Sequence, residues 1–241
     1  MPESPYSLVI SDLHLSEHHP EATERFARFL QTHTGKAAQL FILGDFVEFW
    51  IGDDDPAPFN LLLIQLLSDF AQAGTTIYFM AGNRDFLLKN RFAKQCHMQR
   101  LPDPYPVNVH GHDIVFMHGD TLCTDDVRYQ RYRRIVTNPI VQWIFLRLPL
   151  AWRQKIAQSV RQDSKKQHAK HRQAPMIADV TTQAVDKVIG QYHPHYLIHG
   201  HTHRMGEHQH GHTTRMVLSD WYQAGSYIKI THKNITLNHW K

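Results

Sequence analysis

Three times in its first hundred residues the chain follows a short β-rich apolar run with a helical pattern: SLVI with ATERFARFLQTH, QLFIL with PFNLLLIQLLSDFAQAG, and TIYFM with DFLLKNRFAKQC. That alternation restricts the fold to α/β (α+β), with helices packed on sheets. VNVHGHDIVFMHGD then reads as a hairpin turning near Gly111. Sheet character returns in HYLIHGHTH, RMVLS, GSYIKI and ITLNHW, so the C-terminal third is expected to complete a second sheet.

Between Asp125 and about Arg172 the strand signals disappear, and Pro139 and Pro149 divide a helical stretch into short helices. The expected organisation is a core of residues 1–124 and 178–241 with an inserted helical cap at 125–177. Charge marks the same segment: from Val127 to Arg172 there are twelve Lys or Arg and one acid, Asp163, although the net charge of the whole chain is only +4. Aromatics and leucines are interleaved with these bases, which points to an anionic lipid or nucleic-acid surface beside the simpler reading of a solvated helix face. The start, MPESPYSLVI, shows no secretory pattern, so a cytoplasmic chain is expected, and Cys96 and Cys123 are read as reduced thiols.

The apolar runs share a second property. They end in Asp12-Leu13-His14, Gly44-Asp45, Gly82-Asn83, His118-Gly119-Asp120 and His199-Gly200-His201-Thr202-His203. Ligands of open α/β sheets gather beyond the carboxyl ends of strands, so these five tips are expected to converge. Asp12 and His14 can both reach inward only if the chain leaves strand geometry there. Imidazoles, carboxylates and an amide without thiolate suit Mn²⁺, Fe²⁺ or Zn²⁺ in an open site rather than a closed structural zinc.

This succession resembles the calcineurin-like dinuclear metallophosphoesterases, and the resemblance implies a four-layer α-β-β-α sandwich. It assigns Asp12, His14, Asp45 and His203 to one metal, and Asp45 as bridge, Asn83, His118 and His201 to the other. Water activated between the two cations would attack phosphorus, with Asp45, Asn83, His118 and Arg84 as the catalytic set. Most of these enzymes carry His where this chain has Arg84. Arginine cannot act as a general acid, but it supplies fixed charge to phosphoryl oxygens. A phosphate monoester leaving a diphosphate needs no proton, so GNRD favours a diphosphate linkage over a phosphodiester. The alternative is structural pairing of Arg84 with Asp85 or Asp120.

Longer strings, GDFVEFWIGDDDP, AGNRDFLL, MHGDTLCTDD and IHGHTHR, are similar to the UDP-2,3-diacylglucosamine diphosphatases of lipid A biosynthesis. This resemblance implies attack at the uridine-side phosphorus, release of UMP and 2,3-diacylglucosamine 1-phosphate, and two Mn²⁺ ions. It also implies a peripheral site of action on the cytoplasmic face of the inner membrane. Asn83, Arg84, His201, Asp126 and Ser164 match substrate contacts, with His168 and Lys170 as the nearest equivalents where the pattern departs. No nucleic-acid or obligate protein partner is expected; a soluble hydrolase of other nucleotide diphosphates is the alternative. VQWIFLRLPLAW would wall an acyl-chain cleft, rest on a membrane, or fold back on itself as a hairpin. Three further features have quieter readings: Asp53-Asp54-Asp55 as caps for the helix that follows, EHQHGH as an exposed turn, and His199 as a neighbour that orients or packs beside the metal ligands.

Overall fold

A computed structural model describes residues 5–171 and 179–241, with side chains described outside 161–171. In chain order it comprises β1 (Tyr6–Ile10), α1 (Pro20–His33), β2 (Ala37–Leu43), α2 (Pro58–Gln72), β3 (Thr76–Met80), α3 (Asn90–Gln95), β4 (Met98–Leu101), β5 (Tyr105–Val109) and β6 (His112–Phe116). Then follow α4 (Val127–Val136), α5 (Pro139–Arg147), α6 (Leu150–His171), α7 (Thr182–Tyr192), β7 (Tyr196–His199), β8 (Gly206–His210), β9 (Thr213–Val217), β10 (Gly225–Ile230) and β11 (Ile235–Trp240).

The strands form two sheets, ordered β11-β10-β1-β2-β3-β4 and β5-β6-β7-β9-β8. Strand periodicity builds the layers. Leu8, Ile10, Leu40 and Ile42 face one core with Phe26, Phe29, Leu63 and Leu67 of α1 and α2, whereas Val9, Phe41 and Leu43 face Phe116, Ile198 and Met216 of the other sheet. On the far side of the second sheet Val115 and Leu197 pack against Val185 of α7. The result is the expected four-layer α-β-β-α sandwich, with β1, β2 and β3 parallel and their carboxyl ends on one edge.

Three sequence readings are corrected. GSYIKI and ITLNHW, expected in the second sheet, form β10 and β11 and return to the first, where β10 runs antiparallel to β1. The helix read from Asp85 begins only at Asn90, because the Asp85 carboxylate accepts the backbone N–H groups of Gly82 and Phe46, both at 2.7 Å, and holds a turn instead. EHQHGH is not a free turn: His208 and His210 lie on β8, and only Gly211 and His212 make the reversal into β9.

Helices α4 to α6 lie between β6 and α7. Asp126 and Asn138 start α4 and α5 as side-chain N-caps, accepting from the N–H of Tyr129 and Ile140 at 2.9 Å each. Ile140, Trp143, Ile144, Trp152 and Ile156 are exposed, and the attachment runs through Phe145 and Leu146 packed on the core. Arg153 anchors α6: it is 2% exposed and donates to the Ile51 carbonyl and Asp54 Oδ1, both at 2.7 Å. Asp54 therefore serves this anchor, and Asp53 holds the start of α3 through the N–H of Lys89 and Phe92, both at 3.0 Å, rather than capping α2. Asp55 alone stays near α2, accepting from the Ala57 N–H at 3.3 Å. Among the described residues no helix is long and apolar enough to cross a membrane.

Candidate metal centre

The tips of β1 and β2 stay paired beyond the strands, with Asp12 N–H on the Gly44 carbonyl at 3.1 Å and His14 N–H on that of Asp45 at 2.9 Å. To keep this pairing while turning inward, Asp12, His14 and Asp45 adopt φ of 56°, 50° and 50°, and His201 and His203 do the same at 66° and 57°. Five of the eight non-glycine residues with positive φ among the described residues are thus expected ligands. A left-handed backbone costs on the order of 1–3 kcal/mol per residue and is kept where the site requires it. It also meets the condition set by the Asp12–His14 spacing.

Glycine lets the tips touch. A Cβ on Gly82 would lie 2.3 Å from Asp45 Oδ1 and 2.4 Å from its backbone nitrogen, so the loop after β3 can rest on the loop after β2 only without a side chain. Asp45 Oδ1 also accepts the Arg84 N–H at 2.9 Å.

All seven expected ligands come together. Asp12, His14 and His203 form one group of donor atoms and Asp45, His118 and His201 another, each within 4.8 Å. His203 Nε2 is 3.2 Å from Asp12 Oδ1 and 3.4 Å from His14 Nε2. Asn83 Oδ1 lies 3.0 Å from both His118 Nε2 and His201 Nδ1. Asp45 spans the groups, with Oδ2 3.9 Å from His14 Nε2 and Oδ1 3.7 Å from His118 Nε2. His118 Nδ1 is 2.9 Å from the Leu43 carbonyl, which turns Nε2 toward the centre.

The electrostatics ask for positive charge. Burial works against protonating His118, yet Asp45, Asp120 and Asp12 push its pKa up to about 9. Burial likewise opposes charge on His203, and Asp12 and Asp220 raise it to about 10. His201, dominated by burial and the neighbouring His118, is pushed down to about 4. A donor set of imidazole nitrogens, carboxylate oxygens and an amide oxygen, in which the carboxylates favour positive charge beside them, fits two divalent ions.

Several partners escaped the sequence reading. His14 Nδ1 is 3.2 Å from Glu48 Oε2, its ring stacks on Tyr222 at 5.3 Å, and His203 Nδ1 is 3.2 Å from Asp220 Oδ2. Asp220 orients the His203 imidazole, and Glu48 and Tyr222 flank that of His14. Asp220 follows the apolar RMVLS, so the strand-end signal that found the other acids was present there too. Glu48 and Tyr222 carried no such signal. Arg84 Nη1 is 4.0 Å from Glu48 Oε1, and Asp120 is held by Arg133. His199 belongs to neither donor group. It is buried, Nδ1 donates to the Gly200 carbonyl at 2.9 Å, and Nε2 lies 3.1 Å from Arg215 Nη1. Asp126 caps α4, and Ser164, His168 and Lys170 lie on the α6 backbone with side chains outside the described part.

A paired-group centre at the strand tips of an α-β-β-α sandwich defines a phosphoester hydrolase class, and the chain belongs to the calcineurin-like phosphoesterases, whose family model matches residues 7–205. A more specific likeness runs over nearly the full length. The chain is 44% identical over 229 residues to the UDP-2,3-diacylglucosamine hydrolase of Serratia proteamaculans (strain 568), covering 93% of this chain and 95% of that protein. It is 46% identical over 235 residues to the protein of the same name from Photorhabdus laumondii subsp. laumondii, covering 96% and 97%. A solved structure described as a novel archaeal phosphodiesterase superposes with a TM-score of 0.53 at 11% identity, covering 97% of this chain and 99% of that one, a likeness of fold.

Proposed function

We propose that this protein hydrolyses the diphosphate of UDP-2,3-diacylglucosamine at the uridine-side phosphorus, giving UMP and 2,3-diacylglucosamine 1-phosphate. The observation that carries the reading is the spanning position of Asp45 between two donor groups, with Arg84 at the edge. The near-full-length likeness to proteins named for this substrate supports the choice of lipid.

Asp12, His14, Asp45 and His203 would hold one Mn²⁺, and Asp45, Asn83, His118 and His201 the other. When bound, two divalent ions supply Lewis acidity toward the phosphoryl oxygens and a water of lowered pKa. The chain supplies position and charge. Leu43 fixes the ring of His118, Glu48 flanks that of His14, Asn83 sits against both His118 and His201, and Arg84 presents a permanently charged fork to the developing phosphoryl charge. No residue need protonate the leaving phosphate, which accords with an arginine at this position.

The segment 125–177, which carries α4 to α6, acts in this reading as the lipid-facing cap. Ile140, Trp143, Ile144, Trp152 and Ile156 are exposed, as are Arg131, Arg134, Arg147 and Lys155 of the same three helices, and Arg147 lies 3.5 Å over the Trp143 ring. Exposed apolar anchors among bases support contact with a membrane interface bearing anionic headgroups, and in this reading the enzyme acts peripherally on the cytoplasmic face of the inner membrane. Asp126, Ser164, His168 and Lys170 are assigned to the glucosamine side.

UMP release from UDP-2,3-diacylglucosamine, measured with and without Mn²⁺ beside UDP-N-acetylglucosamine, tests the assignment. Rapid Mn²⁺-dependent release from the acylated substrate alone is expected, and Asp45→Asn should lower it by at least about 10²-fold. Cleavage of a generic aryl phosphodiester with neither UDP-sugar consumed would overturn the substrate.

A further inference from the structure

Arg215 on β9 is not one of the seven ligands, yet it is a buried cation with an unusual set of neighbours. It is 8% exposed, and the partners its guanidinium finds among the described residues are imidazole nitrogens: Nη1 is 3.1 Å from His199 Nε2 and Nε 3.3 Å from His210 Nε2. A charge buried against neutral acceptors costs stability, so its use must lie in what those acceptors do.

A guanidinium can only donate, so both Nε2 atoms accept and each ring carries its proton on Nδ1. In His210 that nitrogen faces Asp186 Oδ1 at 3.9 Å. In fully buried His199 it donates to the Gly200 carbonyl at 2.9 Å. With the proton on Nε2 instead, two donors would face each other at 3.1 Å and two acceptors at 2.9 Å, so Arg215 sets the tautomer.

The Gly200 carbonyl also accepts the Thr202 N–H at 2.8 Å, within the turn that carries His201 and His203 into left-handed backbone. In a planar trans peptide the carbonyl and the N–H point in opposite directions. With the Gly200 carbonyl held on His199, the His201 N–H is aimed at Asp12 Oδ2, 2.9 Å away, while Asp12 Oδ1 faces His203 Nε2 at 3.2 Å. The approach is close enough that a Cβ on Gly200 would stand 2.0 Å from Asp12 Oδ2. We propose that Arg215 is a positioning residue of the metal centre: by fixing the His199 tautomer it orients the Gly200–His201 peptide and, through that peptide's N–H, the Asp12 carboxylate. The inference rests on the two-metal reading above and extends it to a residue two contacts removed from any ligand atom.

Mn²⁺ titration of the metal-free full chain, followed by the EPR signal of the free ion, tests this without turnover. Arg215→Met keeps the bulk and removes the donors; it should weaken Mn²⁺ binding by about 10–100-fold, the usual cost of losing an outer partner of a ligand. It should also lower kcat for UMP release more than it raises KM, and speed hydrogen exchange at Thr202 more than at Leu197 and Ile198 of β7. Arg215→Lys, which keeps a charged donor, should recover most of the Mn²⁺ affinity. His199→Asn carries an amide donor near the place of Nδ1 whatever stands at 215, so adding Arg215→Met to it should cost much less than in the unmodified chain. Unchanged Mn²⁺ affinity in Arg215→Met, even with a lowered Tm, overturns the proposal. So does a lysine variant as weak as the methionine one, or an equal loss in the His199→Asn background. Mn²⁺ binding needs no substrate, so an unmodified chain that binds the ion and releases no UMP sinks the reading of the reaction and not this one.

Discussion

Gly82→Ala tests whether the centre depends on backbone contact between the tips of β2 and β3. The added Cβ would stand 2.3 Å from Asp45 Oδ1, 2.4 Å from the Asp45 nitrogen and 2.9 Å from His118 Cε1. Ordinary contact begins near 3.4 Å, so the Asp45 carboxylate must retreat by about 1 Å, and a displacement of that size at a reacting centre costs about 10²-fold in rate. The obstruction includes backbone, which cannot rotate aside, so overpacking should also destabilise the fold by about 1–3 kcal/mol. The control is Gly190→Ala in α7, where the new methyl meets nothing within 4 Å and should stabilise by about 1 kcal/mol through helix propensity. The assays are kcat/KM for UMP release at saturating Mn²⁺ and thermal melting, where each kcal/mol moves Tm by roughly 2–4 °C in a chain of this size. Unchanged rate and Tm in Gly82→Ala would refute the close-approach argument. A rate loss equal to that of Gly190→Ala would do the same.

Two further outcomes follow from buried polar groups. His33 is packed among Tyr6, Phe29 and Trp240, its Nδ1 is 2.9 Å from Tyr6 Oη, and burial with Lys229 and Lys36 holds its pKa down to about 4. Because that lies below the unfolded value near 6.5, the unfolded chain takes up the proton first; the stabilisation is complete above pH 6.5 and is lost as pH falls toward 4. Urea unfolding at pH 7 and pH 5 should differ by about 2 kcal/mol more in the native chain than in His33→Gln, and parallel curves would count against the assignment. Arg153→Met should loosen α6 by removing its bonds to Ile51, Leu148 and Asp54. Hydrogen exchange should then rise in α5 and α6 before it rises in β1 to β3, and KM for the acylated substrate should rise more than kcat falls; uniform exchange across the chain would show that Arg153 is no local anchor.

Much of the centre was legible because strand ends are local features. An apolar run followed by Asp, Asn or His can be read in a few residues, and the parallel order of β1, β2 and β3 then brings the carboxyl ends together. Glu48 and Tyr222 were not legible, since Glu48 lies in an irregular segment and reaches His14 only after the tip of β1 has turned. The acids of Asp53-Asp54-Asp55 were read as one capping cluster, but they divide among α3, Arg153 and the start of α2. Their partners are as many as 99 residues away in the chain, beyond the reach of any local rule.

The sequence by itself determined the element types, the alternation that makes layers, and the polar residues at the strand ends, which follow from side-chain period and residue class; the resemblance to the calcineurin-like phosphoesterases picked the seven expected ligands from among them. Tertiary structure decided the rest. GSYIKI and ITLNHW carry a strand pattern that either sheet could accept, and only the unpaired edge of β1 directs them to the first. It also decided which residues bend into left-handed backbone, because that strain is borne only where the pairing of Asp12 and His14 with the loop after β2 holds the turn in place. The physical reason is one of range: periodicity and propensity act within a few residues, whereas strand partnership, close backbone approach and the fields that raise His118 and His203 arise only once distant segments are in contact.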